Sequence, residues 1–148
     1  MKRFQITPLP IHAATLRDRL ADPASGAYVQ FEGWVRDHNE GQRVLRLEYE
    51  VYEPLAVSEG ERIIDEAIER FGIRRAAAIH RSGMLELTEI AVIVGVSAPH
   101  RSEGFEACRY IIDQVKSRLP IWKKEYYANG MAEWVNCQRC AEAAHGHG

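Results

Sequence analysis

Residues Glu89 to Ser97 read EIAVIVGVS, a run of strand length that is too apolar to leave either face in water. A strand of this kind is central in a sheet and covered on both sides, which commits the chain to a layered fold with a real core. The chain is long enough for one: 148 residues fit one domain and can bury roughly two-thirds or more of the surface exposed on unfolding. With 46% apolar and 27% charged residues, the composition is that of an ordinary globular protein and not of a disordered chain.

The flanking segments say what surrounds that strand. Lys2 to Thr7 suits a short first strand that Pro8 and Pro10 end, followed by a helix from about Ile11 to Leu20 and a loop over Ala21 to Ser25. From Gly26 to Arg36 the sequence alternates with period two, placing Ala27, Val29, Phe31, Gly33 and Val35 on one face. Asp37 to Gly41 has turn chemistry, and Leu45, Leu47, Tyr49 and Val51 alternate with charged partners beyond it, so the reading is a long, half-buried hairpin. Pro54 and Gly72 bracket a helix carrying Ile63, Ile64, Ala67, Ile68 and Phe71. Arg74 to His80 is a further strand, and Ser102 can cap a helix that runs to Leu119 and stops at Pro120. Hairpin strands interspersed with helices make an α+β domain, expected over residues 1–140, with 141–148 as a loose, flexible tail.

The formal net charge of −2 argues against a general nucleic-acid binder, so any anion site must be local. Met1 to Pro8 has a basic pair but no apolar stretch of a signal peptide, and no run approaches the roughly 18 apolar residues of a membrane span. Three cysteines, one inside an apolar helical pattern, suit a reducing compartment, and the expected location is the cytoplasm.

Candidate chemistry gathers around the last helix. Its apolar stripe is Phe105, Cys108, Ile111, Ile112, Val115 and Leu119, and Lys116 falls on the border, roughly 20° from Phe105 and 40° from Ile112 on the helical wheel. That position suits a lysine that lays its stem on apolar surface and sends its head to water, and equally a pocket lysine usable as base or nucleophile. In Pro120 to Glu125, an extended chain points Lys123 and Lys124 to opposite faces, so at most one of them shares a pocket with Lys116; Trp122 offers an apolar wall or simply core. Other cations stand at strand ends: Arg36, the pair His80 and Arg81, and the pair His100 and Arg101 just before the helix, where helix N–H groups can add to a phosphate site. Each is also compatible with an ordinary surface arginine or a core histidine. Cys137, Cys140, His145 and His147 have the donor chemistry for zinc, but the H-x-H spacing is unusual for a structural finger, and no metal site is assigned.

Several segments together resemble the large, catalytic subunit family of molybdopterin synthase: GAYVQFEGWVRDHNEG (Gly26 to Gly41), LEYEVYEPLA (Leu47 to Ala56), IHRSGMLE (Ile79 to Glu86), VGVSAPHRSEGFEA (Val94 to Ala107), VKSRLPIWKKE (Val115 to Glu125) and Trp134. They stand in the family's order and at nearly its spacing. The resemblance implies an α/β hammerhead fold with an added antiparallel sheet, and a central homodimer with a small ubiquitin-like subunit at each end. It further implies two transfers of sulfur from that partner's C-terminal Gly-Gly thiocarboxylate to cyclic pyranopterin monophosphate. Nothing in it requires a bound cofactor. By matching motifs, Lys116 and Lys123 are the implied active-site lysines, Arg36 belongs to the glycine-rich hairpin, Phe31 lines the pocket, and His100 and Arg101 serve the neighbouring subunit's site. Lys116 is expected to transfer a proton or accept the acyl group, and Lys123 to polarise the phosphate or leaving oxygen.

The sequence departs from the family at Thr88, where a glycine is more usual, and over Tyr126 to Gly130; beyond Trp134 only Arg139 offers a further basic match. Two competing functions keep the same residues: a non-catalytic adaptor for a ubiquitin-like Gly-Gly tail, and a Schiff-base enzyme acting on a phosphorylated carbonyl compound through Lys116.

Overall fold

The computed structural model describes residues 2–136. Expectations for the C-terminal segment, including Arg139, the two cysteines and two histidines, and the tail over 141–148, lie outside the described residues. The elements are β1 (Phe4–Thr7), α1 (Ala13–Leu20), β2 (Ala27–Trp34), β3 (His38–Asn39), β4 (Gln42–Val51), α2 (Glu53–Phe71), β5 (Arg75–Arg81), β6 (Gly83–Glu86), β7 (Ile90–Ala98), α3 (Arg101–Arg118), β8 (Ile121–Tyr127) and β9 (Ala132–Asn136).

Two sheets result. The first has the order β1-β5-β7-β2, and β7 is central in it, with every residue from Ala91 to Ala98 buried. α1 lies against β7 and β5, while α3 packs on β7 and β2 and α2 on β1 and β5. The two-sided cover that EIAVIVGVS demands is met in this way. The second sheet runs β3-β4-β8-β9, with β6 also paired to β4. An α+β hammerhead-type domain with an additional antiparallel sheet is thereby formed. Pro54 sits in the first turn of α2, and Gly72 closes the helix at φ +67 with its N–H on the Ile68 carbonyl, as the brackets in the sequence require.

The expected long hairpin does not form. β2 pairs antiparallel with β7 in the first sheet, whereas β4 pairs with β6 and β8 in the second. The chain changes sheets after a register shift at Gly33/Trp34, where Val35 N–H turns to the Glu89 carbonyl at 3.1 Å. Bulges of this sort bend a strand out of its ladder. The tight turn is instead between β3 and β4, where Glu40 and Gly41 both take positive φ, as a two-residue hairpin turn needs.

Further differences concern α3. Its N-cap is His100, not Ser102, and Glu103 reaches back to the His100 N–H at 2.9 Å. Phe105, expected on the apolar stripe, is 59% exposed, because the buried line runs instead through Gly104, Ala107, Cys108, Ile111, Ile112 and Val115.

Candidate functional site

β8 sends the two adjacent lysines to opposite faces of the sheet. Lys123, Glu125 and Tyr127 share one face, and Lys123 stands directly opposite Tyr49 in the β4–β8 ladder, so the side chains of that pair lie on the same side of the sheet. Glu125 is 3% exposed. Its carboxylate accepts Asn39 Nδ2–H at 2.8 Å and the Tyr127 hydroxyl at 3.2 Å, and its other oxygen lies 3.8 Å from Lys123 Nζ. Burial, then the Glu125 charge, pushes the Tyr127 phenol up to about 12, so it remains a donor. Asn39 in turn receives Arg36 at 3.5 Å. Arg36 and Lys123, far apart in sequence, are therefore joined through Asn39 and Glu125.

Lys124 belongs to the opposite face, where its ammonium lies over the rings of Tyr126 at 5.2 Å and Trp134 at 5.6 Å. Trp122 shares that face and does not wall Lys123. With Trp134, Tyr52, Glu50 and Val51 it lines an open cleft of about 530 Å³ that contains none of the candidate cations.

Lys116 is an exposed residue in the last turn of α3. Its charge is felt by His80, which is buried on β5 opposite Val92. His80 Nδ1 lies 2.7 Å from the Arg81 carbonyl; a carbonyl only accepts, so Nδ1 carries the proton. Burial first, then the Lys116 charge, lowers the imidazole to about 4 and keeps it neutral. Its ring meets Tyr49 edge-on, with centroids 4.7 Å apart. His80, on which the Lys116 charge acts, thus meets at the junction of the sheets the tyrosine that stands opposite Lys123.

The pair His80 and Arg81 therefore does not act as two surface cations. Arg81 is buried, with Glu89 at 3.3 Å and the carbonyls of Pro8 and Met84 at 3.1 and 3.5 Å. Phe31 is half-buried on β2 and packs on the core beneath α3. Its ring leans over Gly33, where a Cβ would lie 3.5 Å from the Phe31 Cε1 and 2.9 Å from Val92 Cγ1. Close by, burial pushes the Cys108 thiol up to about 11, so it behaves as a small apolar side chain.

His100 and Arg101 are not brought to the lysines of their own chain. Arg101 and Lys116 stand fifteen residues apart on one helix, roughly 22 Å at the α-helical rise. Both His100 and Arg101 are exposed, and Glu103 already occupies the first-turn position beside His100 Nδ1 at 3.3 Å. Asn39, Tyr49 and Glu125 all stand in the quoted motifs, but none was singled out as a site residue, because only the fold shows what each of them holds.

The MoaE protein family model matches residues 6–118 of this chain. The chain belongs to the MoaE family. Among its relatives, the molybdopterin synthase catalytic subunit of Thermoplasma volcanium is 45% identical over 130 residues, covering 88% of this chain and 95% of that protein. The crystal structure of molybdopterin synthase from Staphylococcus aureus superposes with a TM-score of 0.86 at 37% identity, covering 91% of this chain and 98% of that one. A complex of subunits 1 and 2 of molybdopterin-converting factor from Helicobacter pylori shares the MoaE fold with a TM-score of 0.71 at 19% identity, over 90% and 88% of the two chains.

Proposed function

We propose that this chain is the catalytic subunit of a molybdopterin synthase, moving sulfur from the thiocarboxylated C-terminus of a small ubiquitin-like subunit to cyclic pyranopterin monophosphate in the cytoplasm. The observation that carries the reading is the network of Arg36, Asn39, Glu125 and Lys123, beside which the His80 ring, on which the Lys116 charge acts, meets Tyr49 opposite Lys123. Family membership supports it, as does the joint solution of two subunits in the Helicobacter pylori relative. Arg36 and Lys123 offer the cations that a phosphate and an incoming carboxyl terminus require. Lys116 is solvent-accessible, as a group met by another protein's tail must be, and takes the role of proton-transfer group or acyl acceptor while Lys123 stabilises charge developing on oxygen. Phe31 supplies apolar surface next to the pterin.

His100 and Arg101 then act on the neighbouring copy in a homodimer, since their own lysines are too distant. β2 is an edge strand of the first sheet and, among the described residues, pairs only with β7. Antiparallel pairing of two such edges about a two-fold normal to the sheet would lay the two α3 helices antiparallel on the same face. Arg101 of one copy would then approach Lys116 of the other, with the exposed Phe105 between them.

The deciding experiment is single-turnover mass spectrometry with the pterin precursor and thiocarboxylated partner, with Lys116→Ala alongside. Dithiolene product that is lost in the variant supports the reading. Partner binding without transfer by the wild-type protein would favour a non-catalytic adaptor. Mixed dimers of Arg101→Ala and Lys116→Ala chains recover activity if the site is shared; no recovery counts against sharing.

A further inference from the structure

The two lysines belong to different layers. Lys116 rides on α3, which packs on β7 and β2 of the first sheet, whereas Lys123 is part of β8 in the second. Between α3 and β8 the chain has only Leu119 and Pro120. So short a link limits how far apart the lysines can be, but it does not fix the angle of one sheet against the other. That angle sets where an ammonium on a long, flexible stem can point.

A contact between the sheets stands beside both lysines. Tyr49 of the second sheet is the cross-strand partner of Lys123, and its ring abuts the edge-on ring of His80 from the first sheet, the residue on which the Lys116 charge acts. The His80 ring is held by its Nδ1–H on the Arg81 carbonyl, and Arg81 is itself anchored by Glu89 and the Pro8 carbonyl. On the other side of β4, Tyr49 is opposite Gly83, and it packs against the buried cluster that includes Leu85 of β6. The charge that acts on His80 comes from Lys116 on α3, and Tyr49 brings a ring against it from β4.

We propose that His80, locked against Tyr49, is a positioning residue for the sulfur-transfer site: the ring pair fixes the placement of Lys116 relative to Lys123. The proposal rests on the functional reading above for its kinetic consequence, but not for its geometry. A displacement of about 1 Å between reacting groups can lower a rate roughly 100-fold without weakening binding, so the effect belongs in turnover.

The test uses the full-length protein with its thiocarboxylated partner and pterin precursor. His80→Ala, shown to be folded by circular dichroism, should lose about 100-fold in single-turnover rate while apparent affinity for precursor and partner stays within a few-fold. His80→Phe, which keeps a ring against Tyr49, should recover most of that loss, and Tyr49→Leu should reproduce the alanine defect without adding to it. A folded His80→Ala protein with wild-type rate, a phenylalanine variant no better than alanine, or a loss confined to affinity would each overturn the proposal.

A second measurement needs no turnover and stands even where the alanine variant folds poorly. A short aryl bis-electrophile should link Lys116 to Lys123 in wild-type and His80→Phe protein, read by peptide mass spectrometry, and do so several-fold less well in Tyr49→Leu. Equal yields in all three, or no linked pair in the wild type, overturn it. Wild-type protein that links the lysines yet makes no product would sink the functional reading and leave this inference standing.

Discussion

Lys123 Nζ lies 3.8 Å from Glu125 Oε2, two residues along the same face of β8. The lysine is therefore one end of a buried carboxylate's partner set, whose other members are Asn39 and Tyr127. Glu125→Gln keeps the shape and can still accept from Asn39, but it removes the charge that orients Lys123. The expected result is a fall in turnover of about tenfold or more, and a loss of about 1–2 kcal/mol in stability from weakening hydrogen bonds to a charged group. Urea titration and single-turnover rates check the two effects separately, and an unchanged rate would mean that Lys123 is oriented by something else.

Thr88 has φ +68, a left-handed conformation that a β-branched residue adopts only under constraint. The constraint is visible: its N–H is committed to the Val35 carbonyl at 2.8 Å, at the point where the chain passes between the sheets. Glycine relieves a strain of about 1–2 kcal/mol and returns up to about 1 kcal/mol through unfolded-state entropy. Thr88→Gly should therefore be neutral to stabilising by about 1 kcal/mol, seen as a higher urea midpoint with unchanged slope. A marked destabilisation would show that the threonine side chain contributes a contact of its own.

Two of the groups that shape the acid limb of stability, a buried imidazole and a paired carboxylate, act in different windows. His80 titrates at about 4 in the folded protein, below its ordinary value near 6.5, because burial and then Lys116 oppose its charge. The unfolded chain binds the extra proton first, so stability falls as pH drops from about 6.5 towards 4. Glu66 is held below the carboxylate range, first by the Arg118 hydrogen bond at 2.6 Å and then by Tyr110. Its contribution is present above the unfolded carboxylate value and is lost as pH falls through its lowered folded value. His80→Phe should flatten the upper window, and Glu66→Gln should shallow the lower one without abolishing it, because Asp22, Asp37, Glu89 and Glu103 are lowered as well. Thermal melts from pH 7 to 3 decide the matter, and a slope between 6.5 and 4 that survives in His80→Phe contradicts the assignment.

Legibility in the sequence followed the range of the interactions involved. α2 was bounded by Pro54 and Gly72, and β7 by its continuous apolar run, because caps and two-sided burial leave local marks. The alternation from Gly26 to Val51 marked strands correctly but could not say which strands pair, and the chain exchanged the expected hairpin for two sheets. β6 is four residues long with Met84 exposed, too short to leave a period. At the site, the cations were visible as residue types. The choice of Lys123 over Lys124 from residues alone needed the register that sets Tyr49 opposite Lys123, and the distance from Arg101 to Lys116 needed one unbroken helix.

Gly60 tests that long-range packing where helix propensity argues the other way. It lies inside α2, where alanine is worth about 1 kcal/mol more than glycine by propensity alone. A Cβ there, however, would overlap the ring of the fully buried Phe4 on β1. β1 has little freedom to retreat: Phe4 N–H is bound by Glu61 at 2.6 Å, Arg3 by Glu61 and Asp65, and β1 is paired along its length with β5. Overpacking of a fixed core costs about 1–3 kcal/mol or more, so it exceeds the propensity gain. Gly60→Ala should thus destabilise by about 1–2 kcal/mol net, and Phe4→Leu should cost stability alone yet offset part of the alanine defect when combined with it. Urea midpoints of the four proteins in that cycle give the coupling directly. Strict additivity would mean that α2 moves away from β1 instead of pressing on Phe4.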